Sequence, residues 1–119
     1  MSKSATELLA QHITHITYDD LPNDVIQKAK ACLLDTLGCI LGGFLDKLVV
    51  NTIQSFTVRN NALFEATMFG KNIKAPLLYA GLINGMMAHV LELDDVHKRA
   101  KVHPGTVVVP AAVTYGETV

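Results

Sequence analysis

The sequence predicts an all-α fold. Three observations carry that reading. Apolar residues recur at steps of three and four along most of the chain, helix-start residues precede those periodic stretches, and glycine or proline punctuates them. One short apolar run, Ala66-Thr-Met-Phe69 ended by Gly70, reads instead as a short strand or an extended connection.

The first helix is expected over about residues 5–16. Ser4-Ala-Thr-Glu7 is a capping box, in which a hydroxyl and a carboxylate three residues apart satisfy two free amides reciprocally, and Leu8, Leu9, Ile13 and Ile16 form one stripe. Tyr18 to Pro22 breaks the pattern. Pro22 is placed to open a second helix over about 23–41, where its missing amide is harmless, and Asp24 complements the first-turn dipole. Val25, Ala29, Leu33, Leu37 and Ile40 line that helix, the longest and the one expected at the centre, and Gly42-Gly43 reads as its stop. A third helix is expected over about 46–59 with Leu48, Val49, Ile53 and Phe56 on one side. A fourth, about 75–91, follows from Pro76 and carries Ala80, Gly81, Gly85 and Ala88, small enough for close helix packing. Pro104-Gly105 reads as a break before a last helix starting near Thr106.

Composition excludes several classes. The chain has 119 residues, 50% hydrophobic and 18% charged, with ten basic against eleven acidic residues and a formal net charge of −1. That length suits a single domain and is enough to bury roughly 65% of the unfolded surface. The near-neutral charge gives no footprint for nucleic acid, and no apolar run approaches the roughly 20 residues of a membrane helix. The polar, amphipathic N-terminus does not read as a secretory signal, so the expected compartment is the cytoplasm. Cys32 and Cys39 stand seven residues apart on one expected helix, about 10 Å between backbones and too far for a disulfide, so both are expected as reduced, buried apolar residues.

The chemistry-bearing residues concentrate in 89–103, which holds three of the five histidines and three of the eleven acids. His89 and Glu92 share a helix face. Asp94, Asp95 and His97 fall just past the expected helix end, and His97, Lys98, Arg99, Lys101 and His103 offer cations to an anionic substrate. Such a cluster can bind a divalent ion, supply general acids and bases, or hold an anion. No two-His zinc helix motif or Cys-x-x-Cys pair is present, so no metal is expected, and no phosphate-cradling glycine loop opens a helix. His12 and His15 have no acidic or cysteine neighbour and read as surface or packing residues.

Two blocks carry a resemblance. Pro22-x-x-Val25-x-x-Lys28-Ala-Lys followed by Leu34-Asp-Thr-Leu-Gly-Cys39 and Gly42-Gly43 resembles the opening of the MmgE/PrpD family. Asn84-Gly85, His89-Val-Leu-Glu-Leu-Asp-Asp95, His103-Pro-Gly105 and Val109-Pro-Ala111 resemble that family's first active-site segment in the same order. The resemblance implies the N-terminal part of a large helical domain. The family's enzymes, 2-methylcitrate dehydratase and cis-aconitate decarboxylase among them, are homodimers that act on small di- and tricarboxylic acids without metal or cofactor. Carried over residue by residue, His103 matches the active-site histidine, and Glu92 stands where those two enzymes have an aspartate. Asp94, Asp95, His89 and His97 are expected to bind substrate or shape the site. Val96 replaces a threonine, and the stretch between Asp95 and His103 is one residue longer than in the decarboxylase.

The sequence therefore reads as a partial N-terminal helical domain over 1–119, ending inside a helical pattern and expected to be inactive alone. The expected partners are a small polycarboxylate and, at full length, a second copy, with no nucleic acid and no membrane. The alternatives are a non-catalytic remnant and a small helical metal-binding protein using His89, Glu92, Asp95 and His97.

Overall fold

A computed structural model describes residues 3–57, 65–70 and 73–119. They form five α-helices and one small sheet: α1 (Ala5–His15), α2 (Asn23–Gly43), α3 (Lys47–Thr57), β1 (Ala66–Met68), β2 (Ile73–Ala75), α4 (Leu77–His89) and α5 (Pro104–Gly116). The all-helical class holds. The strand suspected at 66–69 is real and pairs antiparallel with the unforeseen β2, Thr67 facing Lys74, around a turn in which Gly70 takes φ +90°. The expected apolar side chain of Phe56 and the expected helix end at 58–59 lie outside the described residues.

The chain divides into two compact units, Met1–Lys30 and Ala31–Val119. In the first, both halves of the capping box form: the Glu7 amide donates to Ser4 Oγ at 3.3 Å and the Ser4 amide to Glu7 Oε2 at 2.7 Å. A 3-10 turn, Tyr18–Asp20, has a capping box of its own, with the Thr17 amide and hydroxyl donating to Asp20 at 2.9 and 2.7 Å. No residue of α1 is buried, and His12 and His15 lie on the surface.

In the second unit the centre is α4 rather than α2. Ala80, Ile83, Met87 and Ala88 of α4 are buried against residues from α2, α3 and both strands, whereas Leu34 and Leu41 of α2 are 73% and 61% exposed. Burying each large aliphatic side chain there contributes about 1.5–3 kcal/mol. Helix α2 ends at the Gly42-Gly43 pair, its last residue being Gly43, two residues past the expected 41. A Cβ on Gly43 would run into the backbone carbonyl of Met87, so glycine is there to let α2 approach α4. Buried Asn84 ties α4 to the sheet, accepting from the Phe69 amide at 3.0 Å and donating to the Thr67 carbonyl at 2.9 Å.

Helix α5 starts at Pro104, two residues before the expected Thr106, because Pro104-Gly105 occupies its first turn, where proline fits best. Pro110, inside α5, leaves the Thr106 carbonyl without its helical donor. Gly85 of α4 stands against that carbonyl, where a Cβ would come within 3.2 Å.

Candidate active site

The segment between α4 and α5 returns to one point. His89 is the last residue of α4 and His103 precedes the first turn of α5. Between them Asp94 is buried, its side chain fully excluded from solvent. His89 Nδ1 lies 3.0 Å from Asp94 Oδ1, and His103 Nδ1 lies 2.6 Å from Asp94 Oδ2. One carboxylate thus accepts from two imidazoles, whose rings meet edge to face with centroids 4.8 Å apart. Burial pushes the Asp94 carboxyl up, but the hydrogen bonds from His89 and His103, with the charge of His103, outweigh it and hold the group below its ordinary value. An ionised acceptor requires each Nδ1 to carry its proton, which leaves each Nε2 as the remaining reactive nitrogen.

Asp95 does different work. Its Oδ1 accepts from the Gly105 amide at 2.8 Å, in the first turn of α5, where His103 as N-cap provides no side-chain cap. A carboxylate there satisfies a free amide and complements the positive end of the helix. Gly105 is required, since a Cβ would collide with the Asp95 carboxylate and the Thr36 hydroxyl. His97 stands apart from the cluster. Its backbone bridges Val102, its Nδ1 accepts from the Ala100 amide at 3.1 Å, and Lys101 takes φ +52° to close the tight loop. Lys98, Arg99 and Lys101 are exposed on that loop. Glu92 is exposed and holds φ +50°, its amide donating to the His89 carbonyl at 2.8 Å in the turn that ends α4. Among the described residues no hydrogen bond joins its carboxylate to the histidines.

The structure therefore brings together His89, Asp94 and His103, holds Asp95 against α5, and leaves Glu92 and His97 outside the hydrogen-bonded cluster. Sequence reasoning named all six residues but not the central place of Asp94, because separations of five and nine residues across a helix end follow no periodicity. These three are also the described residues that come nearest a metal-ligand set. An ion held by both Nδ1 atoms and the carboxylate would have to displace the two hydrogen bonds between them. Cys39 is buried, and Cys32 is half-buried rather than fully so. Burial, and then the charges of Asp35, Asp94 and Asp95, push the Cys39 thiol up, away from nucleophilic thiolate character. A groove of about 430 Å³ runs between α4 and α5 with His89 at its edge, and Gly85, Thr106 and Pro110 among its walls.

Comparison with known proteins gives the family of the chain. The model of the MmgE/PrpD N-terminal domain matches residues 7–119. The chain is 32% identical to the cis-aconitate decarboxylase of Homo sapiens, over 98% of this chain and 24% of that protein. It is 28% identical to the cis-aconitate decarboxylase of Mus musculus, over 98% of this chain and 24% of that protein. It is 26% identical to that of Aspergillus terreus, over 94% of this chain and 23% of that protein. The chain thus spans about a quarter of the length of these relatives. No solved structure matches it. With a family match over nearly every residue, and the His-Pro-Gly and Asp-Asp segments folded against each other, the chain belongs to the MmgE/PrpD family.

Proposed function

We propose that the chain is the N-terminal portion of a cofactor-independent lyase acting on small di- or tricarboxylic acids, with His103 and Glu92 as its catalytic residues. The observation that carries this reading is the 2.6 Å hydrogen bond from His103 Nδ1 to the buried, ionised Asp94. It presents Nε2 of a fixed imidazole as an acid or base of the kind that acts near neutral pH. In a dehydration, the base takes the proton from the carbon beside a carboxylate, the electron pair forms the double bond, and the C–O bond breaks as the departing hydroxyl is protonated. In a decarboxylation, the C–C bond breaks, CO2 leaves, and the carbanion takes a proton from the same acid. The names of the relatives support the substrate class.

Glu92 adds a second argument. A non-glycine residue in the left-handed region costs about 1–2 kcal/mol, and such strain concentrates at functional sites. Its longer reach than aspartate and the loss of the hydroxyl at Val96 favour a substrate other than that of the decarboxylases. In this reading the rest of the site and its cationic clamps come from segments such as the relatives carry beyond the matched quarter. The whole enzyme works as a cytoplasmic homodimer.

The test compares this chain with a version extended to the relatives' length. The extended protein turns over a small polycarboxylate, His103→Ala abolishes that activity, and Glu92→Gln lowers it by at least about 100-fold. The 119-residue chain alone shows none. Turnover by the short chain that survives changing both Glu92 and His103 would overturn the proposal.

A further inference from the structure

We infer that His89 is a positioning residue for His103, acting through the carboxylate they share. Two geometric facts carry this. The Asp94 side chain has no solvent exposure, so neither oxygen can replace a lost partner with bulk water. Each oxygen has one imidazole, Oδ1 taking His89 at 3.0 Å and Oδ2 taking His103 at 2.6 Å. Removing the His89 donor therefore takes its imidazole partner from a buried carboxylate, leaving His103 and Asp94's own amide, which is costlier than losing an exposed hydrogen bond. The carboxyl then has two ways to recover. It can rotate toward another donor, which spoils the short bond to His103. It can also take up a proton and donate to His103 Nδ1, which moves the imidazole proton to Nε2. Either outcome removes the arrangement in which Nε2 of His103 is the free base.

Because both rings bond the same carboxylate, the effect passes from His89 to His103 without a hydrogen bond between the two imidazoles. The Asp94 carboxyl, held below its ordinary value and so kept ionised, agrees, the His89 hydrogen bond being the largest influence in that direction. His89 is also half-exposed at the edge of the groove between α4 and α5, so a replacement side chain there has room. The role assigned to His89 has catalytic meaning only within the lyase reading, but the hydrogen-bond arrangement is testable without activity.

The experiment is nitrogen-15 NMR of the histidine rings in the 119-residue chain at about pH 8, where an ordinary imidazole is neutral. In the unaltered chain His103 is in the Nδ1–H form. In His89→Phe, which keeps a ring but has no donor, the ratio of Nδ1–H to Nε2–H at His103 falls about tenfold. His89→Asn, whose amide nitrogen occupies the place of Nδ1, restores it. Backbone amide spectra report whether each variant is folded. Should His89→Phe not fold, the comparison passes to His89→Gln, whose amide lies one bond too far and which behaves as the loss variant. An unchanged His103 tautomer in the folded loss variant, or no recovery in His89→Asn, overturns the inference. In the extended enzyme, His89→Phe lowers kcat with little change in KM. If the tautomer shifts as described but the extended protein turns over no polycarboxylate, the lyase reading fails and the positioning role stands.

Discussion

Asp94 and Glu92 stand two residues apart and present opposite situations. Asp94 has no solvent exposure and two charge-assisted partners, whereas Glu92 is exposed and sits in backbone that suits glycine. The second situation gives a prediction. Glu92→Gly relieves the left-handed φ and raises stability by about 1 kcal/mol, read as an increase in the urea midpoint at constant slope. Under the proposed lyase reading, the same change is expected to remove activity from an extended protein, so stability and function would move in opposite directions. A fall in the urea midpoint would show that the Glu92 side chain contributes contacts that outweigh the strain. Residue types in 89–103 were legible in the sequence as acid, base and cation candidates. Their sorting was not. Asp94 and Asp95 are adjacent and identical, yet one accepts from two imidazoles and the other caps α5. His97 is nearer to them in sequence than His89 but folds into its own loop. Only the direction of each side chain after the helix end separates them, and no spacing rule encodes it.

At the level of elements, the glycines of α2 separate two roles that look alike in sequence. An added Cβ at Gly38 meets nothing within 4 Å, whereas at Gly43 it meets the Met87 backbone and the Val90 side chain. Gly38→Ala is therefore expected to stabilise by about 0.5–1 kcal/mol, through helix propensity alone. Gly43→Ala is expected to destabilise by about 1–3 kcal/mol or more, because a backbone carbonyl cannot move aside as a side-chain tip can. Thermal unfolding of the two variants side by side is the check, and equal shifts would mean that α2 and α4 do not meet as described. Helix positions were legible because the 3.6-residue period and the caps agree, most clearly at Ser4–Glu7. Glycine and proline signals carry more than one meaning. Gly42-Gly43 ends α2 and also serves a helix contact, and Pro104-Gly105, expected as a break, begins α5. β2 escaped notice because three residues, Ile73–Ala75, are too few to show alternation.

Over the whole molecule, carboxylates set the response to acid. Glu7, Asp20, Asp94 and Glu117 all lie below their ordinary values. For Glu117 the Lys74 ammonium is the largest cause, for Asp20 the Thr17 hydroxyl, and for Glu7 the Ser4 amide. A depressed folded-state value means that the unfolded chain binds protons first. The stabilisation is thus complete above the unfolded-state range, near pH 4, and is lost as pH falls through the folded-state values. Urea midpoints measured from about pH 6 to pH 2 should hold steady and then decline below about pH 4. Asp94→Asn should start lower and decline less, and an identical slope would remove Asp94 from the acid response. The same carboxylate has a bearing on how the chain meets a protease. Lys98, Arg99 and Lys101 are three trypsin cleavage points within four residues, all exposed, yet the loop that bears them is pinched shut between His97 and Val102 and anchored at both ends through Asp94. A protease must draw several residues into an extended strand before it can cut, so exposure alone does not make this loop a substrate. Brief trypsin treatment of the native chain should spare the bonds after Lys98, Arg99 and Lys101, whereas Asp94→Asn should be clipped there first, before cleavage elsewhere reports general unfolding. The rate of that single nick would make the state of a buried carboxylate readable on a gel.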